Sequence, residues 1–212
     1  MVIAIDGPAG AGKSTIARAV ADALGFTYLD SGAMYRCAGL AALRAGIPAT
    51  QAEALGELAS RIEVVLDRER VLLDGEDVTA AIRAPEVSAV ASLVAAHAEV
   101  RMAMVAKQRA LLAAGRYVAE GRDIGTVVAP DAPLKLFLTA SESERARRRA
   151  AQTGESAEEV ILAQRHRDGR DRDREHGALR PAEDSVELDT TGLDAGQVAD
   201  RVVELARERG IG

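Results

Sequence analysis

The segment Gly7-Pro8-Ala9-Gly10-Ala11-Gly12-Lys13-Ser14 constrains this chain more than any other. It fits the pattern G-x-x-x-x-G-K-[ST] without a gap. Its surroundings agree: Val2 to Ile5 is a short apolar run that predicts a buried parallel strand. Ser14 to Leu24 carries Ile16, Val20, Ala23 and Leu24 at helical spacing, with Gly25 where a helix stop belongs. Glycines let successive backbone N–H groups turn inward around a phosphate with no Cβ in the way. A helix starting near Lys13 adds the positive end of its dipole. Lys13 can reach the β- and γ-phosphates of ATP, and the Ser14 hydroxyl can ligate the Mg2+ that bridges them. The expected ATP-binding loop is therefore Gly7, Pro8, Ala9, Gly10, Ala11, Gly12, Lys13, Ser14 and Thr15. A dinucleotide fingerprint would need G-x-G-x-x-G, which glycines at 7, 10 and 12 do not supply.

Phe26 to Leu29 reads as a second strand and Ala33 to Arg44 as a helix closed by Gly46 and Pro48. Strand, loop, helix, strand is the opening of a parallel α/β sheet. The middle changes character. Ile62 to Leu66 and Val71 to Leu73 read as a hairpin across a charged turn, Asp77 to Ile82 as a third strand, and two helices as running from about Glu86 to Ala96 and Glu99 to Ala114. No Pro/Ser linker sets this stretch apart, so it reads as an inserted sub-domain. The core then resumes with strands at Tyr117 to Glu120 and Leu134 to Leu138, a helix from Ser141, a charged helix over Ser156 to Glu175, a short strand at Val186 to Leu188 and a closing helix capped by Asp194. The organisation expected is one α/β domain of the P-loop NTPase type: core about 1–48, 110–155 and 176–212, an acceptor-binding β/α insertion about 49–109, and a short lid about 156–175.

The 212 residues suffice for one substantial core with insertions, and a net charge of −6 gives no overall basic field for nucleic acid or anionic membrane. Only Lys13, Lys107 and Lys135 are lysines among 27 basic residues, so 24 are arginines, the residue suited to bidentate grip on phosphate. A lone cysteine, Cys37, permits no internal disulfide, and the first residues show neither a basic n-region nor an apolar h-region. A cytoplasmic location and a monomer acting on small molecules are expected, with neither nucleic acid nor membrane as partner.

Among P-loop classes, a GTPase would read guanine through N-K-x-D, and the sequence holds no asparagine. A motor ATPase would end a strand in Asp followed by a catalytic Glu, whereas Leu134 to Leu138 runs into Thr139-Ala140. A kinase of a small acceptor remains. A nucleoside monophosphate is mostly deprotonated near pH 7, its second pKa being about 6, so it needs cations to align two polyanions more than it needs a strong base.

Four motifs make a family resemblance specific: Ile5-Asp6-Gly7-Pro8 leading into the loop, Asp30-Ser31-Gly32-Ala33-Met34-Tyr35-Arg36, Gly121-Arg122-Asp123-Ile124-Gly125-Thr126, and Arg170-Asp171-Arg172-Asp173-Arg174. In this order they resemble the bacterial cytidylate kinases over essentially the full length. The resemblance implies transfer from MgATP to CMP or dCMP, with a kinase of UMP or AMP, or a non-catalytic ATP-binding regulator, as the rival readings. By that similarity Ser31 and Tyr35 line the acceptor pocket, Arg36 pairs with its phosphate, Ser92 and Arg101 support the base, Arg122 bridges phosphates, and Asp30 holds Mg2+ through water. Asp123 is the candidate for reading the base, because a carboxylate accepts from the N4 amino group of cytosine and would face an acceptor in uracil. In the lid, Arg167 and Asp171 are expected at the ribose. Arg170 and Arg174, with Lys13 and Arg122, are expected at the transferring phosphoryl group. Arg167, Arg170, Asp171 and Arg174 are expected on one helix face. Gly169 inside that helix is a candidate hinge.

Overall fold

The structure, a computed structural model, describes residues 1–67, 69–154 and 156–212, with backbone alone at Gln152 and Thr153. The elements in chain order are β1 (Val2–Asp6), α1 (Lys13–Leu24), β2 (Thr27–Asp30), α2 (Ser31–Arg44), α3 (Ala52–Arg61), β3 (Val64–Asp67), β4 (Arg70–Leu73), β5 (Glu76–Asp77), α4 (Pro85–Val94) and α5 (Ala98–Ala113). They continue with β6 (Tyr117–Gly121), β7 (Leu134–Thr139), α6 (Glu142–Thr153), α7 (Ala157–Arg172), β8 (Val186–Asp189) and α8 (Ala195–Glu208). A 3-10 turn covers Ala81–Arg83 and a π-helical turn Ile124–Val128. The chain divides into two compact units, Met1–Leu29 with Ala114–Gly212, and Asp30–Ala113.

The first unit is built on a parallel five-stranded sheet in the order β2-β6-β1-β7-β8. β1 is central and pairs with β6 from Val2↔Tyr117 to Asp6↔Gly121, and with β7 from Ile3↔Leu134 to Asp6↔Phe137. Both neighbours of β1 are thus in register with its last residue, and all three strands deliver their C-terminal ends to one edge, where ligands of such sheets bind. The core holds Ile3, Ile5, Val118, Leu134, Leu136 and Leu138 from the strands, with Ile16 and Val20 of α1 and Val198 and Val202 of α8. Asp194 opens α8 with a reciprocal capping box to Gln197.

In the second unit, α2 packs on α4 and α3 on α5, beside the antiparallel sheet β3-β4-β5. Asp74 and Gly75 have φ of 50° and 84°, the double left-handed turn that a two-residue hairpin prefers. The expected hairpin is present, although Arg68 of its turn lies outside the described residues. The strand expected over Asp77 to Ile82 stops at Asp77. There the Asp77 carboxylate accepts from both the Thr79 N–H and hydroxyl, at 3.0 and 2.6 Å, a local turn that ends the ladder. The sequence reading assigned no helix to residues 52–61 and no π-turn to residues 124–128; both are present.

Candidate active site

β1 ends at Asp6 and the chain turns at Gly7. A Cβ there would lie 2.1 Å from the Leu138 carbonyl oxygen, and φ is +149°, so only glycine fits between the ends of β1 and β7. α1 begins after Gly12 with no side-chain cap and no acidic residue in its first turn. Its leading amides are thus left for an external anion. Ser14 and Thr15 are exposed. Lys13 is 6% exposed and donates to the Pro8 carbonyl at 2.8 Å. Burial, reinforced by the charge of Arg122, lowers its pKa to about 7.

β6 leads into Arg122 and Asp123. Arg122 donates through Nε to Asp171 at 2.8 Å. Asp123 is buried and precedes the π-turn, its carbonyl accepting from Val127 and Val128. The amides of Ile124 and Gly125 donate to the two oxygens of Asp6, at 2.9 and 2.8 Å. Burial raises Asp6 to about 6, against the pull of those two bonds. The sequence reading used Asp6 as a motif letter and gave it no role.

The lid helix α7 departs from expectation. Its buried side chains include Gln164, Asp168 and Asp171, with Arg167 and Arg174 partly covered. Arg170 is exposed and its Nε donates to the His166 carbonyl, so it does not share the covered face of Arg167 and Asp171, and Arg174 lies past the end of α7 at Arg172. The reason is angular: at 100° per residue the buried arc centres between Asp171 and Asp168, and Arg170 falls about 130° away from that centre. Asp171 takes Arg122 on one oxygen and Arg174 on the other. Burial alone would raise its pKa, but the charges of Arg122, Arg174 and Arg167 prevail and hold it below the usual carboxylate value. Asp168, which the sequence reading passed over, accepts from the Ala9 N–H at 3.2 Å and from Arg145 Nη1 at 2.6 Å. The same Arg145 nitrogen donates to the Ala9 carbonyl at 2.9 Å. α6 and α7 thereby hold both backbone groups of Ala9, and so the two peptide units that flank it in the phosphate loop. The available signal was the spacing of Gln164, Asp168 and Asp171 by four and three, the spacing of a core face.

In the second unit, Asp30 caps α2 by accepting from the Ala33 N–H at 2.8 Å, and its other oxygen pairs with Arg36 at 2.9 Å. Ser31 is buried at the first position of α2. The Nε of Arg36 is buried with no hydrogen-bond partner, leaving one donor of the guanidinium unmet. Arg101 lies over the Tyr35 ring, 5.6 Å from its centroid, and reaches the Ala95 carbonyl at 3.4 Å. Ser92 is 4% exposed and its hydroxyl has no partner. A buried hydroxyl and a buried guanidinium donor without partners are costly unless a ligand satisfies them.

No group of three or more His, Cys, Asp or Glu side chains among the described residues could hold a metal by itself. Mg2+ commonly takes only one or two protein oxygens, the rest being water and phosphate. In the first unit the exposed Ser14 hydroxyl, and in the second unit the Asp30 carboxylate, are each oxygen donors of the kind that mode uses.

The family model described as Cytidylate kinase matches residues 3–208. The chain belongs to the cytidylate kinase family. A cytidylate kinase of Desulfitobacterium hafniense is 50% identical over 215 residues, covering 98% of this chain and 93% of the relative. One of Geobacter sulfurreducens is 45% identical over 218 residues, covering 99% and 94%. Among solved structures, an uncharacterized protein from Eubacterium ventriosum superposes with a TM-score of 0.58 at 10% identity, covering 98% of each chain, a likeness of fold alone. The cytidylate kinase match spans the phosphate loop, the Asp30–Arg36 segment, the Arg122–Asp123 turn and the lid helix alike. No single helix among the described residues is long and apolar enough to cross a membrane.

Proposed function

We propose that this kinase transfers the terminal phosphoryl group of ATP to CMP, and to dCMP, by direct in-line displacement. A phosphate oxygen of the acceptor forms the new bond to the γ-phosphorus as the bond to the β–γ bridging oxygen breaks, and ADP leaves. The observation that carries the reading is the family match over residues 3–208.

The loop from Gly7 to Thr15 holds the ATP phosphates through its amides, and Lys13 supplies charge to the β- and γ-phosphates. Arg36, with an unmet donor, takes the acceptor phosphate. Arg122 and Arg174, now paired with Asp171, offset the charge of the two polyanions. Arg170 is exposed, and reaching the same phosphates would require rearrangement of the lid helix. Ser31 and Tyr35 line the acceptor pocket, Arg167 and Asp171 serve the ribose, and Ser92 and Arg101 support the base. Asp123 accepts from the cytosine amino group. When bound, Mg2+ neutralises charge on the β- and γ-oxygens. Ser14 would hold it directly and Asp30 through water. We place the enzyme in the cytoplasm, within pyrimidine nucleotide metabolism; the single cysteine, Cys37, is buried and permits no internal disulfide, in keeping with a reducing compartment.

Initial rates with CMP, dCMP, UMP and AMP at fixed MgATP test the reading. CMP should exceed UMP in kcat/KM by on the order of 1–3 kcal/mol, the worth of one good base contact. Equal values would remove Asp123 from base reading, and a preference for AMP would overturn the assignment of acceptor.

A further inference from the structure

We infer that Asp6 is a positioning residue for acceptor recognition: it caps the turn that follows Arg122-Asp123 and so keeps the Asp123 side chain out of the capping role. This rests on the reading of Asp123 as the residue that meets the base.

An aspartate immediately before a helical turn ordinarily folds its carboxylate back onto the second or third amide of that turn, satisfying an orphan donor. Asp123 stands at that position ahead of Ile124–Val128, yet its side chain makes no capping bond. The amides at the first two positions, Ile124 and Gly125, are taken by the two oxygens of Asp6 instead, at 2.9 and 2.8 Å. Asp6 can do this because β1 and β6 are parallel and Asp6 is in register with Gly121, so the end of β1 lies beside the start of the turn. A Cβ on Gly125 would come within 3.3 Å of the Lys135 stem, closer than ordinary contact, and would touch Asp6 Oδ2 at an ordinary 3.5 Å. Lys135 is itself tied to Asp184 at 2.8 Å.

Two features make a carboxylate necessary. Ionised, it offers an acceptor on each oxygen, whereas an amide offers one acceptor and turns an NH2 donor toward the second N–H. Burial also favours keeping the group, because its two bonds satisfy amides that would otherwise be orphaned at 4% exposure of the residue. Remove one acceptor, and the residue at the N-cap position, Asp123, is the one whose side chain ordinarily takes the amide Gly125 would then leave unmet. A residue that turns to cap its own helix can no longer present its carboxylate to a nucleobase.

The test is the ratio of kcat/KM for CMP to that for UMP, measured in Asp6→Asn and Gly125→Ala, with Asp123→Asn as reference. The ratio cancels any change in ATP binding or in the active fraction, which a merely structural role would alter equally for both acceptors. Asp6→Asn should shrink the preference by about tenfold, equivalent to about 1.4 kcal/mol, and shift the 15N–1H resonances of Ile124 and Gly125. Gly125→Ala leaves Asp6 unchanged but sets a Cβ 3.3 Å from the Lys135 stem, closer than ordinary contact, on the side of the turn that Asp6 holds; shifting that turn should shrink the preference too, and it decides the question if Asp6→Asn fails to fold. An unchanged preference in Asp6→Asn, or in Gly125→Ala where Asp6→Asn is insoluble, overturns the inference, provided that Asp123→Asn loses the preference. If Asp123→Asn itself keeps the preference, the base-reading assignment fails and the role of Asp6 fails with it.

Discussion

Binding of MgATP to this kinase should be accompanied by proton uptake at Lys13. Burial of the ammonium, with the charges of Arg122 and Arg167 beside it, brings its pKa to about 7. A bound triphosphate reverses the balance by placing several negative charges against the same nitrogen, returning it toward the ordinary value of about 10.4. At pH 6 about one molecule in ten holds a neutral Lys13, so uptake is about 0.1 proton; at pH 8.5 nearly every molecule does, so uptake approaches one proton. The sign follows from linkage: a complex that binds more protons than its components weakens as pH rises. Between pH 7.5 and 8.5 the Kd for MgATP should rise about eightfold. The nucleotide does not confuse this window, because its terminal phosphate titrates near about 6. Without ligand the same depressed value makes the unfolded chain the better proton binder between the two pKa values. The Lys13 contribution to stability therefore improves as pH rises through that range. Isothermal calorimetry in two buffers of different ionisation enthalpy, without acceptor, counts the protons. Lys13→Arg stays charged throughout and should show none. A binding enthalpy independent of buffer at pH 8.5, or equal uptake in Lys13→Arg, would refute the reasoning.

Further outcomes follow from the packing. Gly39→Ala would set a Cβ 2.9 Å from the backbone nitrogen of Ala91, where α2 meets α4, and should cost about 1–3 kcal/mol in urea unfolding. Gly169→Ala meets nothing within 4 Å inside α7 and should gain up to about 1 kcal/mol; a fall in kcat beside that gain would identify residue 169 as a bending point. Arg145→Met leaves the buried Asp168 carboxylate without its ion-pair partner and should cost about 3–5 kcal/mol. Thermal unfolding of the double variant with Asp168→Asn should show much of that loss recovered, since both charges are then gone.

Much of the first unit was legible because its signals are local and redundant. The phosphate loop, the apolar run before it and the helix behind it each point to the same turn, and β6, β7 and α8 follow from apolar spacing. α3 was missed although Leu55 and Ala59 are buried at helical spacing, because a short Ala- and Glu-rich stretch beside Gly56 carries no boundary signal strong enough to separate it from a loop. The π-turn was missed for a different reason. Its first amides are satisfied by Asp6, 118 positions away in sequence, and no window along the chain contains both partners. The contacts of Asp30 with Ala33 and Arg36 lie within six residues and sit inside a motif that was recognised, yet their effect, one Arg36 donor left unmet, needs side-chain geometry.

The lid helix shows how a site can reverse the usual pattern of a buried face. Gln164, Asp168 and Asp171 stand at the spacing that apolar residues hold elsewhere, so a reading that looks for apolar period finds a solvated helix. What covers these residues is charge: Arg145 on Asp168, and Arg122 with Arg174 on Asp171. Arg122 and Arg174 are also the guanidinium groups proposed for the phosphates, so an incoming polyanion and Asp171 compete for the same donors. Competition of that kind ties the seating of the C-terminal half of α7 to the presence of substrate, while Val160 anchors its first half by apolar burial. It has an acid signature. Asp171 is held below the usual carboxylate value, so its share of stability is complete above about 3.8 and is lost as pH falls through its own lower pKa. Asp171→Asn should therefore flatten the acid limb of the stability curve in chemical denaturation while removing the carboxylate that Arg122 and Arg174 share at neutral pH. If that variant kept the wild-type slope below pH 4, the helix would be seated by something other than this carboxylate, and the exchange between Asp171 and substrate phosphate would have no basis.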